Sequence, residues 1–259
     1  MPFSQQTVLV TGASSGIGKA CAEAFAAAGA RLLICARRAD RIEELAMRLQ
    51  TKFKVQVLAF ALDVRDRAAT EVALRNLPAE WQAIDILVNN AGLSRGLEPL
   101  QQGSHQDWDE MLDTNVKGLL NISRTLLPAM IERGSGQVIN IGSIAGHEVY
   151  PGGAVYCASK HAVDAITRGL RIDLNGTGVR VSTVDPGLVE TEFSKVRFHG
   201  DDDRASQTYV GMTPLTGADV AATVVWVASR PPHVNAAEIL LLPTDQASCT
   251  LVHRDNQEK

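Results

Sequence analysis

The sequence shows no cysteine-pair motif, no long apolar run and no pattern typical of a signal peptide. Its four cysteines, Cys21, Cys35, Cys157 and Cys249, have irregular spacing and form no C-x-x-C pair, which predicts free thiols. No stretch approaches the roughly 18 apolar residues that a membrane span needs. The first residues, MPFSQQTVLVTG, have no basic region followed by an apolar core, so no signal peptide is predicted. These absences predict a cytoplasmic protein with no part in a membrane.

Neither sign of charge dominates the composition. The formal net charge is −4 and 21% of the residues are charged, which gives no electrostatic reason to expect nucleic acid or an anionic membrane as a partner. The six histidines are scattered without the spacing of metal ligands, so no metal site is predicted. A small-molecule substrate is the expected partner.

Short apolar strands alternate with helical patterns along the chain. The strands are predicted at 7–12, 31–37, 55–64, 83–92, 136–143, 178–187 and 236–242. The helices are predicted at 18–29, 40–53, 66–77, 105–133, 153–175 and 217–229. Strands this apolar are buried on both faces, as parallel strands covered by helices are. The predicted fold class is α/β, a single doubly wound parallel sheet of about seven strands with helices on both faces, in one domain over residues 1–259.

One segment, 188–216, is too long for an ordinary connection between a helix and a strand. It follows the carboxyl end of a predicted strand, which is where ligands bind in such sheets. The segment is therefore predicted to be a flap over the substrate, and a plain surface excursion is the alternative.

A glycine-rich turn, TGASSGIG, joins the first strand to the first helix. Gly12, Gly16 and Gly18 let the backbone turn tightly and approach a pyrophosphate, with helix N–H groups pointing at the anion. A Walker loop is excluded because Ala20 follows Lys19 where that motif needs serine or threonine. The turn indicates a dinucleotide site.

Two arginines at the end of the second strand indicate which dinucleotide binds. In NAD-selective sites an acidic residue about 20 positions past the glycines binds the ribose hydroxyls. Arg37 and Arg38 occupy that place instead, and Asp40 lies at the start of the next helix. Guanidinium groups suit a 2′-phosphate, so NADP(H) is predicted rather than NAD, although a solvated basic turn would have the same sequence.

A tyrosine and a lysine four residues apart, Tyr156 and Lys160, form a candidate acid/base pair. Residues i and i+4 share a helix face, so the ammonium group can lie near the phenol. A nearby cation favours phenolate and lowers the pKa of tyrosine from its usual value of about 10. Tyr156 could then accept the proton of a substrate hydroxyl while hydride leaves. Tyr150 has Ala154 four residues later, so it is predicted to line the pocket or pack.

Four features in this order, TGASSGIG, NNAG at 89–92, Asn115, and Ser143 with Tyr156 and Lys160, resemble the short-chain dehydrogenase/reductase superfamily. The resemblance covers about residues 7–243 and implies a Rossmann-type fold. It implies that Asn115, Ser143, Tyr156 and Lys160 are catalytic, with Ser143 bonding the reacting oxygen and Asn115 holding a water. It implies a cofactor site made by Gly12, Ser14, Ser15, Gly16, Ile17, Gly18, Arg37, Arg38, Asp63, Val64, Asn90, Gly92, Tyr156, Lys160, Pro186, Gly187, Val189 and Thr191.

The C-terminal third, especially EFSKVRF and the HVN before the last strand, resembles the NADP-dependent 3-hydroxy acid dehydrogenases, also called serine 3-dehydrogenases or L-allo-threonine dehydrogenases. This resemblance implies oxidation at C3 of serine, allo-threonine or related 3-hydroxy acids, or reduction of malonic semialdehyde. Arg197 or Lys195 could meet the substrate carboxylate, or could point to solvent or pair with Glu192. His147 could face the pocket, or lie on a surface loop.

Two other functions are compatible with the same motifs. The first is a broad NADPH-dependent carbonyl reductase of larger ketones, since the superfamily fold hosts many substrates. The second is a non-catalytic NADP-sensing protein, which could dispense with the intact Ser143, Tyr156 and Lys160. The resemblance also implies a homotetramer, in which the helices at 105–133 and 153–175 pack between subunits.

Overall fold

Parallel strands form the centre of the structure, a computed structural model that describes residues 1–255. The strands are β1 Thr7–Thr11, β2 Arg31–Ala36, β3 Val57–Ala61, β4 Ile86–Asn89, β5 Gly136–Ile141, β6 Val179–Pro186, β7 Val189–Glu190, β8 Leu215–Thr216 and β9 Glu238–Leu241. Seven of them make one sheet in the order β3-β2-β1-β4-β5-β6-β9, with every pair parallel. The predicted seven-stranded α/β sheet is confirmed; residues 256–259 of the predicted 1–259 domain lie outside the described residues.

Helices cover both faces of this sheet. They are α1 Gly16–Ala27, α2 Ala39–Phe53, α3 Arg67–Arg75, α4 His105–Leu112, α5 Leu119–Glu132, α6 Ala154–Asp173, α7 Phe193–Arg197, α8 Asp202–Gln207 and α9 Gly217–Ala228. Successive strand residues point to opposite faces, and both sets are buried: Val8 and Val10 pack in the core under α1, α2 and α9, whereas Leu9 packs in the core under α3 and α5. The apolar strands are therefore covered on both sides, as their sequence predicts.

The order of the strands places the candidate site. The strand order reverses between β1 and β4. From β1 the chain continues outward to β2 and β3 on one side, and it then returns to β4 and continues to β5, β6 and β9 on the other side. Ligands bind in the crevice outside the carboxyl ends of parallel strands at such a switch point. The glycine turn after β1, the NNAG turn after β4 and Ser143 after β5 all lie at this edge of the sheet.

All seven strands of the sheet are shorter than predicted. The difference is largest for β3, which covers 57–61 instead of 55–64, and for β4, which covers 86–89 instead of 83–92. At the end of β4 the Asn90 amide leaves the ladder and bonds Thr11 Oγ1 at 3.0 Å.

The segment 188–216 consists of two short helices, α7 and α8, between the two-residue parallel strands β7 and β8. Its contacts tie it to the body of the domain. The Gly96 amide donates to the Arg197 carbonyl at 2.9 Å, and His199 Nε2 lies 3.1 Å from Asp107 on α4. The segment is therefore packed against the domain, and its role as a flap over the substrate stays a prediction.

Within residues 1–255, no helix has both the length and the apolar character that a membrane span requires. The four cysteines lie in that same range as free thiols, as predicted.

Candidate active site

The glycine turn is held tightly between β1 and β4. Gly12 has φ +67°, a conformation that side-chain-bearing residues rarely adopt. A Cβ at Gly18 would stand 2.5 Å from the Gly12 carbonyl oxygen, so only glycine fits there. The Asn90 side-chain amide donates to the Thr11 carbonyl at 2.9 Å and to the Gly12 carbonyl at 3.3 Å. The turn is thus fixed, with the N-terminus of α1 open toward the site, a geometry that suits a pyrophosphate.

Arg38 is bound to the same turn. Its Nε and Nη2 donate to Ser14 Oγ at 3.1 and 2.9 Å, and Nη2 also donates to Ser15 Oγ at 2.7 Å. Arg37 instead points to Glu110, with Nη1 3.5 Å from the carboxylate. A guanidinium group and two hydroxyls converge where the adenosine ribose would lie, and this donor set fits a 2′-phosphate.

Two further residues of the predicted cofactor site lie after β3. The Asp63 carboxylate accepts from Arg65 Nη2 at 2.6 Å and is half-exposed, whereas Val64 is buried. The Val64 carbonyl accepts from Asn121 Nδ2 at 2.9 Å, which fixes this turn against α5. Asp63 and Val64 are therefore rigidly placed at the carboxyl edge of the sheet, beside the glycine turn.

Tyr156 is 9% exposed, and its ring packs edge-on against Phe193 of the flap with 5.8 Å between centroids. Burial raises the pKa of the phenol, while the Arg197 charge and a hydrogen bond with Ser143 act in the opposite direction. Ser143 and Tyr156 are therefore together, as the sequence predicts. The cation whose charge lowers the pKa of the phenol is Arg197, whereas the sequence predicted Lys160.

Lys160 donates to the backbone of β5. Its Nζ lies 6.0 Å from the centroid of the Tyr156 ring and donates to the Ile141 carbonyl at 2.9 Å. Burial lowers the pKa of the Lys160 ammonium to about 8, and the Asp185 charge opposes that shift. The ammonium is therefore bonded to β5, and its expected effect on the phenol stays a prediction. Its position suits a group that contacts bound nucleotide.

Asn115 lies in a π-helical turn, Asp113–Gly118, which interrupts the helix predicted at 105–133. Turns of this kind occur frequently at functional sites. Its side chain is 2% exposed and fully bonded: Nδ2 donates to the Leu93 carbonyl at 2.8 Å and to Ser159 Oγ at 2.9 Å. Asn115 Oδ1 accepts from the Leu93 amide at 2.8 Å. The side chain therefore joins the NNAG turn, with Gly92, to α6.

The turn after β6 brings the base of the flap beside the glycine loop. Pro186 ends β6, and Gly187 starts a turn whose next amide, that of Leu188, donates to Gln246 Oε1 at 2.8 Å. Val189 is buried in β7. A Cβ at Gly16 would lie 3.3 Å from the Thr191 side chain, which places Thr191 over the glycine turn where Ile17 begins α1.

Arg197, which lies in the flap, contacts Tyr150 and Ser94 at one side of the site. Arg197 Nη2 donates to Tyr150 Oη at 2.9 Å, and Nε donates to Ser94 Oγ at 3.1 Å. The guanidinium carbon lies 5.4 Å from the Tyr156 ring centroid and 5.2 Å from that of Phe193. Among residues 1–255, no carboxylate lies within 4 Å of Arg197. The second candidate, Lys195, is instead exposed and paired with Asp202 at 2.8 Å.

His147 contacts carboxylates behind the site. Its Nε2 lies 2.9 Å from Asp185 Oδ2, and its Nδ1 lies 3.7 Å from Glu238 Oε1. Burial raises the pKa of Asp185, although hydrogen bonds from Thr183 and His147 act against that rise. The predicted pocket-facing histidine is thus turned toward β6 and β9. No spacing in the sequence could reveal this three-residue cluster, because its members come from three separate segments.

Ser94 and Arg41 were not predicted as site residues, and Glu192 has other partners than the predicted Arg197 or Lys195. Ser94 binds Arg197, and Glu192 binds both Arg38 and Arg41. For Arg41 a signal was present, since it lies three residues past Arg38 at the start of α2. Nothing in the sequence pattern pairs Glu192 with a turn more than 150 residues away.

Replacing Arg38 with alanine is expected to raise the KM for NADP+ about tenfold or more, because a charge-assisted contact contributes about 1.5–3 kcal/mol. The KM for NAD+ should change little, since NAD+ has no 2′-phosphate. Initial rates with each nucleotide measure both values, and Arg67→Ala, an exposed arginine on α3, is the matched control. Equal losses with both nucleotides would contradict a 2′-phosphate role for Arg38.

Comparison with known sequences agrees with the geometry. The protein family described as short chain dehydrogenase matches residues 6–202. The NADP-dependent 3-hydroxy acid dehydrogenase YdfG of Salmonella typhi is 48% identical over 249 residues, which cover 95% of this chain and 99% of the relative. The serine 3-dehydrogenase of Rhizobium radiobacter is 44% identical, over 93% of this chain and 95% of the relative.

Comparison with solved structures gives the same fold. A closed form of serine dehydrogenase complexed with NADP+ superposes with a TM-score of 0.90 at 47% identity, covering 96% of this chain and 100% of that structure. Serine dehydrogenase from Escherichia coli superposes with a TM-score of 0.81 at 42% identity, covering 93% and 100%.

Proposed function

We propose that this chain, which belongs to the short-chain dehydrogenase/reductase family, oxidises the C3 hydroxyl of small 3-hydroxy acids of the serine or allo-threonine type. Membership of the family and the near full-length relatives make the chain an NADP-dependent oxidoreductase that acts on CH–OH groups. The finer assignment, the substrate class, depends on the site. The observation that carries it is the guanidinium group of Arg197, which lies beside the Tyr156 ring with no carboxylate partner among the described residues.

A 3-hydroxy acid has a carboxylate close to the carbon that is oxidised, so its site needs a cation near the acid/base group. Arg197 lies 5.4 Å from the Tyr156 ring centroid, and Tyr150 and Ser94 fix its direction. A guanidinium group binds carboxylate through paired, charge-assisted hydrogen bonds. Together these contacts support Arg197 as the carboxylate anchor, with Tyr150 as the wall behind it.

The chain's own residues would then carry the proton. Ser143 Oγ, near the phenol, orients the substrate hydroxyl, and Tyr156 Oη accepts its proton during oxidation and returns it during reduction. NADP+, when bound, supplies the hydride acceptor. Lys160, bonded to the Ile141 carbonyl, contributes a positive charge near the nucleotide. The glycine turn and Arg38 would hold the phosphates, whereas Arg37 is paired with Glu110.

The proposal is tested by initial rates of NADPH formation with L-serine, L-allo-threonine, D-threonine and 3-hydroxyisobutyrate. Turnover on several of these with NADP+, and little with NAD+, is the expected result. If none reacts while larger ketones are reduced with NADPH, the substrate class is wrong and the broad carbonyl reductase is correct. Absence of turnover with every substrate, together with normal NADPH binding, would support the non-catalytic sensor.

Arg197→Met is expected to raise the KM for 3-hydroxybutyrate about 10- to 100-fold, because a hydrogen bond to a charged group contributes about 1.5–3 kcal/mol. The KM for its methyl ester should change little, because the ester has the same carbon skeleton without the charge. Steady-state kinetics with this pair separate lost charge from a disturbed flap. Arg204→Met, an exposed flap arginine, is the matched control. Equal losses on acid and ester would contradict a carboxylate anchor.

The homotetramer stays a proposal. The helices expected to pack between subunits expose apolar side chains: Leu112 on α4, Leu120 and Ile131 on α5, and Ile172, which is 76% exposed, on α6. Four subunits by light scattering would agree with the proposal, and a monomeric mass would contradict it. The cytoplasmic location is likewise still a prediction.

A further inference from the structure

The carboxylate of Glu192 lies between Arg38, in the turn that follows β2, and Arg41, in the first turn of α2. Its Oε2 is 3.0 Å from Arg38 Nη1, and its Oε1 is 2.9 Å from Arg41 Nη1. Glu192 directly precedes α7, so it belongs to the flap, whereas both arginines belong to the nucleotide side of the site. One carboxylate of the flap therefore pairs both with Arg38, the arginine proposed to bind the cofactor, and with Arg41.

The other donors of Arg38 are already bonded. Its Nε and Nη2 donate to the hydroxyls of Ser14 and Ser15 in the glycine turn, which leaves Nη1 for an anion. That is the group that Glu192 contacts. Arg41 Nη1 donates to both oxygens of the same carboxylate. Glu192 and a 2′-phosphate would therefore compete for the same N–H groups.

We propose that Glu192 is a specificity-determining residue, an internal anion that occupies the 2′-phosphate subsite and that NADP has to displace, and that Arg41 joins Arg38 in holding the phosphate. The inference rests on the proposed role of Arg38 at the 2′-phosphate. NAD has a hydroxyl at the same position, which can donate to the Glu192 carboxylate and leave it in place. Glu192 thus lowers the preference for NADP that the arginines create.

Displacing the Glu192 carboxylate from the two arginines requires little free energy. The side chains of Arg38 and Glu192 are 40% and 44% exposed, and exposed ion pairs contribute little to stability. A phosphate dianion attracts two guanidinium groups more strongly than one carboxylate does. The arginines therefore exchange one anion for the other, and the free Glu192 carboxylate, left near the phosphate, still repels it.

Calorimetric titration of the full chain with adenosine 2′,5′-bisphosphate and with ADP tests the inference. Glu192→Gln is expected to bind the bisphosphate about three- to tenfold more tightly, because it removes a competing charge of an exposed pair. Binding of ADP should change less than about twofold, because ADP has no 2′-phosphate to compete. The control is Glu190→Gln, an exposed flap carboxylate two residues away, which should alter neither affinity.

Two further variants separate the inference from its premise. Arg41→Gln is expected to weaken bisphosphate binding by about threefold or more and to leave the affinity for ADP unchanged. If Arg38→Ala weakens bisphosphate binding but Glu192→Gln does not strengthen it, the role of Glu192 is wrong and the phosphate site stands. If Arg38→Ala has no effect on the bisphosphate, the premise fails and the inference fails with it.

Discussion

Tyr156→Phe is expected to lower kcat about 1000-fold with 3-hydroxy acids while NADPH binding stays within about threefold of the parent chain, because a positioned acid/base contributes about 10²- to 10⁴-fold. The ring contacts survive the substitution, since Phe193 and the Arg197 guanidinium pack against the ring and not against the hydroxyl. The substitution therefore removes only the hydroxyl of the phenol. Steady-state rates and NADPH fluorescence titration give the two values.

The matched control is Tyr209→Phe. Tyr209 is a flap tyrosine whose hydroxyl donates to the Val189 carbonyl at 2.7 Å and lies 2.9 Å from Ser194 Oγ. The substitution removes the hydroxyl of a half-buried phenol outside the proposed proton path, and it should lower kcat less than about tenfold, because a neutral hydrogen bond contributes about 1 kcal/mol. A Tyr156→Phe chain that keeps more than a tenth of the activity would rule out Tyr156 as the acid/base.

The direction of the Tyr156 shift also predicts a pH dependence for the oxidation. Burial raises the pKa of the phenol, and the Arg197 charge lowers it again. Oxidation needs phenolate, so its kcat/KM rises with pH until the phenol has lost its proton, and the Tyr156→Phe chain lacks this rise. Without the Arg197 charge the phenolate is less favoured, so in Arg197→Met the rise should move to higher pH on the methyl ester.

The parts of the site that are local in sequence could be predicted from it. Gly12 and Gly18 are required by one tight turn, and Tyr156 and Lys160 share a face of α6 through their spacing. The parallel sheet could be predicted too, since each strand and helix of the alternation is recognised from its own short pattern. Each of these depends on backbone geometry over fewer than about ten residues.

The parts that could not be predicted depend on the direction of long side chains and on pairs far apart in the chain. Spacing placed Lys160 near Tyr156, but a four-carbon side chain can reach several acceptors, and the buried Ile141 carbonyl is the one it binds. Glu192 meets Arg38 across 154 positions. No propensity or periodicity specifies such contacts; only the closed tertiary structure does.

Lys160→Met is expected to lower kcat about 100-fold or more, since the site loses the cation that we propose lies near the nucleotide. The same substitution should change the pH dependence of stability. The ammonium is buried, and its pKa falls from 10.5 to about 8, so the folded state binds its proton less well than the unfolded state does. A charged Lys160 therefore costs the folded chain about 3 kcal/mol at pH 7.

That cost is fully present below pH 8, and it disappears as the pH rises from about 8 to 10.5, because the folded state loses its proton first. The free energy of unfolding of the parent chain should therefore rise relative to that of Lys160→Met by roughly 2 kcal/mol between pH 7 and pH 9.5. Urea unfolding of both chains measures this difference, in which the titration of other groups cancels. Lys52→Met, which replaces an exposed lysine on α2, should show no such divergence. Parallel pH profiles for the parent and Lys160→Met would mean that Lys160 is already neutral or well solvated when folded, and its role as a buried cation would then be wrong.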